Sequence, residues 1–270
     1  TFGTKVTVIE MMPNILPVED KEISKLLESN LKKYGIEIMT DSKVEKVNID
    51  GDVSITLSTK DRQKQIKGEV ALLAIGVQGN VENFGLDELG VKYEKSFIKV
   101  NEYYKTNIEG IYAIGDVVGA PLLAHVASAE GITCVEAIAG KNPPQVDYEN
   151  IPGCTYCQPQ VASIGLTEEK AIEQGVKIKV GRFPFAASGK ARAIGETDGL
   201  VKLIFDAKYG GLLGAHILGS GATEMIAELG VAKTLETTAH ELIKTIHAHP
   251  TLSEAVMEAA ADAMGEAIHI

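Results

Sequence analysis

Hydrophobic residues along the chain change period several times, and each change predicts an element. Val6-Thr7-Val8-Ile9 is a β-branched run ending on Glu10. After a turn holding Met12, Pro13 and Pro17, the apolar residues Ile23, Leu26, Leu27 and Leu31 recur at helical spacing. Gly35 ends that helix and Ile36-Glu37-Ile38-Met39 begins a second strand, so the pattern predicts a β-α-β unit, half of a doubly wound sheet. From Val44 to Gly68 the pattern alternates, with Asn48-Ile49-Asp50-Gly51-Asp52 as a hairpin turn, and an antiparallel insert is expected. Val70-Ala71-Leu72-Leu73-Ala74-Ile75 is apolar throughout and stops at Gly76, which predicts a parallel strand buried on both faces.

A second buried strand is expected over Gly110-Ile111-Tyr112-Ala113-Ile114, ending at Gly115-Asp116. A helix from about Ala124 to Ala139 follows, closed by Gly140 and by Pro143-Pro144, which mark a boundary. Beyond about residue 148 the elements come in blocks. Strand-like stretches at 160–166, 177–185, 200–205 and 214–218 precede helices over 221–236, 239–246 and 252–267, the texture of an α+β domain. The last helices carry Ala255, Val256, Ala259, Ala260 and Ala263 on more than one face, which predicts burial against a partner subunit.

Composition narrows the function classes. The chain has 270 residues, with 26 Lys or Arg against 37 Asp or Glu, a formal net charge of −11. Only Arg62, Arg182 and Arg192 are arginines, so the charge argues against nucleic acid as the main partner. No apolar run approaches the roughly 18 residues of a membrane span. The first residues lack the pattern of a secretion signal, and three cysteines make no disulfide framework, so a reducing, cytoplasmic setting is expected. Thr1 is not a start methionine and a strand follows within a few residues, which suggests part of a longer chain.

Four groups of residues carry candidate chemistry. Glu10 sits just past the strand that opens a βαβ unit, where a carboxylate can accept hydrogen bonds from the hydroxyls of an adenosine ribose. The glycine loop of such a site lies about 20 residues earlier, upstream of Thr1, and taken alone an acid in this place is more often an ordinary surface residue than a ribose ligand. Asp116 ends the second expected strand; it is an acceptor for the hydroxyls of a sugar alcohol, or simply a turn residue. His247-Ala248-His249-Pro250-Thr251-Leu252-Ser253-Glu254 is the densest cluster. Pro250 holds His249 extended, and a carboxylate accepting one ring N–H fixes the tautomer and leaves the other nitrogen as the base. Glu254 is the nearest such carboxylate, and Thr251-x-x-Glu254 is also a helix capping box. His247 and His249 lack further ligands nearby for a metal, and Cys154-Thr155-Tyr156-Cys157 leads into a strand with no helix to activate a thiol.

Together these residues resemble the pyridine nucleotide-disulfide oxidoreductases, and among them the branch that oxidises dihydrolipoamide, over essentially the whole chain. His247 to Glu254 is similar to that family's His-x-His-Pro-Thr-x-Ser-Glu motif. Ile111-Tyr112-Ala113-Ile114-Gly115-Asp116, followed by Leu122-Leu123-Ala124-His125, resembles its second FAD-binding segment. The resemblance implies that Asp116 binds the flavin ribityl chain and that Leu122, Leu123, Ala124 and His125 line the flavin. It implies that Glu10, Val44 and Gly76 contact NAD, and that His249 and Glu254 are the acid-base pair serving a redox disulfide. Residues 1–76 would end an NAD-binding domain, 77–147 would form a central FAD-contacting segment, and 148–270 would form the interface domain of a homodimer, with its histidine acting in the partner's site. The implied reaction is oxidation of dihydrolipoamide by NAD+ through FAD. The implied partners are lipoyl domains of 2-oxo acid dehydrogenase complexes or the lipoyl carrier protein of the glycine cleavage system.

The family's two glycine loops and its redox cysteine pair are not among these residues. Cys154 and Cys157, in the interface domain, cannot stand in for that pair. Val77-Gln78-Gly79-Asn80 also departs from the Arg-containing form common after the buried strand. Another disulfide reductase, a soluble transhydrogenase relative and a non-catalytic dimerisation fragment stay open as alternatives.

Overall fold

In the computed structural model, which describes residues 2–60 and 62–269, strand β1 (Thr7–Ile9) is followed by helix α1 (Lys21–Lys33) and strand β2 (Glu37–Met39). The two strands pair in parallel, Val8 opposite Ile38, as the opening pattern predicts. Asp20 caps α1 by accepting the Glu22 N–H at 3.0 Å. Strands β3 (Lys43–Asp50), β4 (Asp52–Ser58) and β5 (Gln63–Gly68) form the expected antiparallel insert, with Gly51 alone in the β3–β4 turn at φ +73°.

The run from Val70 to Ile75 is not a strand. It is irregular, bent at Ile75, with Val70 85%, Leu72 90% and Ile75 87% exposed. A buried parallel strand takes its hydrogen bonds from neighbours on both sides, and the parallel sheet described here holds β1 and β2 only.

Two compact units are distinguished: one runs up to Ala71 and resumes from Glu149, the other is Leu72–Tyr148. The second unit holds α2 (Leu86–Leu89), the short hairpin β6 (Tyr93–Glu94) and β7 (Phe97–Ile98), and α3 (Ala124–Ile138). The expected strand over residues 110–114 is absent as well. Its backbone bonds locally instead, Thr106 N–H to Ile111 O at 3.0 Å and Ala113 N–H to Tyr104 O at 3.0 Å, so those groups are satisfied without a parallel neighbour. A tight turn over Gly115–Val118 then leads to α3.

In the first unit, β8 (Gly153–Thr155), β9 (Gln160–Gly165), β10 (Ile178–Pro184), β11 (Leu200–Asp206) and β12 (Leu212–Gly219) form an antiparallel sheet in the order β10-β11-β12-β9-β8. Around it stand α4 (Glu168–Glu173), α5 (Gly189–Ile194), α6 (Ala222–Thr234), α7 (Ala239–Lys244) and α8 (Glu254–Met264). Ala162, Val201, Leu203, Phe205 and Ile217 point to one face and form a core with residues of α6, α7 and α8. Their neighbours Val161, Leu200 and Leu218 point to the other, against Ile23 and Leu27 of α1. The sheet is covered on both sides, which explains its nearly continuous apolar strands. The fold is mixed α/β, as expected.

The small residues of α8 have their explanation inside the chain. Ala255, Val256, Ala259 and Ala260 are fully buried in the core beside the sheet. A Cβ on Gly181 of β10 would lie 1.8 Å from the Ala259 carbonyl oxygen, so helix and strand touch backbone to backbone. Their burial needs no partner subunit. Among the described residues, no helix is long and apolar enough to cross a membrane.

Candidate functional site

The segment between α7 and α8 presents His249 with its side chain 77% exposed. Glu254, the first residue of α8, reaches back to it: Oε1 lies 2.9 Å from His249 Nδ1, and Oε2 accepts the Thr251 N–H at 2.8 Å. Burial pushes the Glu254 carboxyl up, but the Thr251 amide and the His249 ring outweigh it and hold it below the usual carboxylate range. An ionised Glu254 only accepts, so Nδ1 carries the proton of the neutral ring and Nε2 is left able to accept one. The capping reading of Glu254 holds on one side only. The Thr251 hydroxyl donates to the Ala248 carbonyl at 2.7 Å, and no side-chain oxygen accepts a helix N–H as a cap.

His247 anchors the same segment from behind. Its Nε2 lies 2.7 Å from Glu228 Oε1 on α6, and its Nδ1 lies 3.1 Å from the Thr245 carbonyl. Both ring nitrogens therefore have protein partners. The chain is held on each side of His249, by His247 against α6 and by Glu254 on α8.

In the second unit Asp116 is exposed on the turn that follows Ile114. Leu122 and Leu123 are half-buried, and Ala124 and His125 open α3 with their side chains outward. No side chain caps α3 at Leu123; instead the Val126 and Ala127 N–H groups of its first turn both donate to the Leu123 carbonyl at 3.0 Å. A carboxylate exposed in this place can accept from the hydroxyls of a polyol.

Glu10 follows β1 as expected, and its Oε1 accepts the Met12 N–H at 2.7 Å. Its main-chain oxygen accepts the Ser42 N–H at 3.0 Å, which brings the start of β3, and with it the exposed Val44, near the end of β1. Gly76 belongs to the second unit, exposed at φ +121°, with open space where a Cβ would stand.

Cys154 and Cys157 are free thiols that burial pushes up, the opposite of an activated pair, and the Cys157 thiol donates to the Pro159 carbonyl at 3.0 Å. Sequence reasoning missed Glu228 as the partner of His247, and missed Glu130, a buried carboxylate on α3 whose Oε2 accepts the Gly115 N–H at 2.6 Å. A signal for Glu130 existed: it stands on one helix face with Val126 and Cys134, four residues to either side.

Two family models match the chain: the pyridine nucleotide-disulphide oxidoreductase model over residues 1–131 and the dimerisation domain of the same family over 151–260. Among curated relatives, a dihydrolipoyl dehydrogenase of Rhizobium etli is 52% identical over 272 residues, taking in 100% of this chain and 56% of its own length. One of Bacillus subtilis is 48% identical, with 99% of this chain and 57% of its own length covered. Of solved structures, LpdA from Mycobacterium tuberculosis superposes with a TM-score of 0.86 at 25% identity, covering 96% of this chain and 56% of that one. The flavoprotein disulfide reductase RclA from Escherichia coli gives 0.88 at 26% identity, with 96% and 60% covered. The chain spans about half the length of the curated relatives it matches. It belongs to the pyridine nucleotide-disulphide oxidoreductase family.

Proposed function

We propose that these residues serve a cytoplasmic dihydrolipoyl dehydrogenase that oxidises dihydrolipoamide with NAD+. In this reading 1–76 end the NAD-binding domain, 77–147 contact FAD, and 148–270 form the interface of a homodimer. Lipoyl domains of 2-oxo acid dehydrogenase complexes, or the lipoyl carrier protein of glycine cleavage, are the partners. The observation that carries it is the 2.9 Å contact from Glu254 to His249 Nδ1, which leaves Nε2 facing outward as a base.

His249 Nε2 takes a thiol proton from dihydrolipoamide, and the resulting thiolate attacks a disulfide, forming a mixed disulfide as one cysteine leaves; the second lipoyl thiol then displaces the other cysteine, closing the lipoamide disulfide, and the two thiol protons pass to the cysteine pair, one of them through His249. Glu254 stabilises the imidazolium meanwhile and fixes the ring's direction. The exposed Asp116 carboxylate at the turn before α3 fits a flavin's polyol chain. Asp116 would take the flavin's ribityl hydroxyls beside the uncapped start of α3, with Leu122, Leu123, Ala124 and His125 along the flavin, and Glu10, Val44 and Gly76 would contact NAD. When bound, FAD supplies two-electron transfer between the disulfide and NAD+.

The test is turnover in the full-length polypeptide. His249→Gln should slow dihydrolipoamide oxidation by a factor of roughly 10² or more, and Glu254→Gln by less, because the base survives but loses its orienter. Unchanged turnover in His249→Gln removes the imidazole from the mechanism. Activity with glutathione disulfide but not with lipoamide would assign the site to another disulfide reductase.

A further inference from the structure

Glu130 is a carboxylate only 2% exposed, on the same face of α3 as Val126, Thr133 and Cys134. A carboxylate in such a place is stable only where donors meet it. Two do: the Gly115 N–H reaches Oε2 at 2.6 Å and the Tyr148 hydroxyl reaches Oε1 at 2.6 Å. Tyr104 extends the chain, its hydroxyl 3.0 Å from that of Tyr148. Burial and the Glu130 carboxylate push the Tyr148 phenol far above its ordinary value, so it stays protonated.

The Gly115 end of this network concerns function. Gly115 has φ +74°, and a Cβ on it would lie 3.0 Å from Ala127 Cβ, so the turn lies directly on α3. One turn of helix further on, a Cβ on Gly131 would lie 3.1 Å from Ile114 Cδ1. Packing thus brings the turn down onto the helix, and the charge-assisted bond from Glu130 fixes its rotation there. The next residue is the exposed Asp116.

We propose that Glu130 is a positioning residue for flavin binding: by holding the Gly115 N–H it fixes the backbone that aims the Asp116 carboxylate at the ribityl hydroxyls. The inference rests on the assignment of Asp116 made above. Glu130 touches no cofactor in this scheme and acts through Gly115 alone.

The experiment is a fluorescence titration of FAD into the full-length apoprotein, which reads a dissociation constant independently of turnover. Glu130→Met keeps the side-chain length but cannot accept a hydrogen bond, and should weaken FAD binding by about tenfold. Glu130→Gln keeps an acceptor for Gly115 and should stay within about twofold of the parent. Asp116→Ala should weaken binding by about tenfold or more, and adding Glu130→Met to it should cost no more than about twofold further, because the group being aimed is gone. If Asp116→Ala weakens FAD and Glu130→Met does not, or if the two losses multiply in full, Glu130 does not act through Asp116 and the proposal is overturned while the Asp116 assignment stands. If Asp116→Ala leaves FAD binding unchanged, the assignment itself falls and takes the proposal with it. Should Glu130→Met fail to fold, Glu130→Asp carries the same test, since it keeps the charge but withdraws it from Gly115 by one methylene. Undiminished FAD binding in Glu130→Asp overturns the proposal.

Discussion

Replacing Lys202 with methionine tests how α1 is fastened to the antiparallel sheet. Lys202 stands on β11, on the face that α1 covers, with its side chain 1% exposed. Its Nζ is 2.9 Å from both oxygens of Asp20, 2.9 Å from Glu22 Oε2 and 2.7 Å from Glu168 Oε2. Asp20, whose side chain is 0% exposed, is also the cap of α1 and accepts the Glu168 N–H at 3.2 Å. Burial pushes the Asp20 carboxyl up, and the bond to Lys202 with the neighbouring charges overrides it, so the folded protein holds it ionised below its usual range. Lys202→Met leaves that carboxylate with two amides and no cation. Breaking a buried pair from one side costs about 3–5 kcal/mol, against about 0–1 kcal/mol for an exposed pair. At about 2–4 °C per kcal/mol for a chain of this size, Tm should fall by roughly 6–20 °C. Asp20→Asn in the same background should recover more than half of the loss. Asparagine keeps an acceptor for the Glu22 N–H and removes the stranded charge, and Glu22 and Glu168 keep Arg182 at 2.9 and 3.0 Å. Urea unfolding followed by far-UV circular dichroism measures each term. A loss below about 1 kcal/mol for Lys202→Met, or a double variant less stable than the single, would refute the reasoning.

Two further perturbations probe the same sheet. His216 is buried on β12 with Nε2 2.9 Å from the Leu166 carbonyl, and burial pushes its imidazole below the ordinary value. Only the unfolded chain therefore takes up the proton as pH falls from about 6.5 toward the folded pKa, and stability should drop across that window by up to about 1.4 kcal/mol per pH unit. Urea titrations at successive pH values should show this slope in the parent and not in His216→Gln; an identical slope in both would assign it to another group. At Gly181, an added Cβ would stand 1.8 Å from the Ala259 carbonyl oxygen and 2.7 Å from the Ala263 nitrogen, both backbone atoms that no side-chain repacking removes. Gly181→Ala should cost at least about 1–3 kcal/mol by calorimetry and, because α8 carries Glu254, should also lower kcat; a silent variant would show that α8 has room to shift.

What the sequence disclosed depended on how far apart the partners lie along it. The β-α-β opening, the insert after Val44 and the helices after Ala222 were legible because each is written in a local period. Glu254 was found as the partner of His249 because it lies five residues away and the start of a helix brings it back. Asp20 and Lys202 lie 182 positions apart, and nothing local at Lys202 marks a lysine aimed into a helix cap. Glu130 and Gly115 are 15 apart, across a turn whose geometry the sequence does not state, although a glutamate between Val126 and Cys134 on one helix face was a visible anomaly. The two failed strands, Val70 to Ile75 and Ile111 to Ile114, share one cause. Apolar content tells that a segment suits burial between neighbours, but a strand exists only where a neighbour supplies hydrogen bonds. The alanines of α8 failed differently: smallness was read as room for a second subunit, whereas it is room for β10 at Gly181.

As the proposed base, His249 must be both open and fixed, and the structure separates these demands. Openness belongs to the ring, whose side chain is 77% exposed. Fixity comes from residues the substrate need not touch. Glu254 starts a helix whose contact with β10 leaves no space for one methyl group at Gly181, and the carboxylate gains further from its place at the helix N-terminus. His247 is held by Glu228 on α6, which packs against β9 and β12. The sheet that carries the family's dimerisation domain therefore also sets the position of the base, through α8 on one side and α6 on the other. A change in the core beneath either helix is expected to reach kcat without touching a reacting atom, whereas a change on the exposed edge of the imidazole alters access and leaves its direction intact.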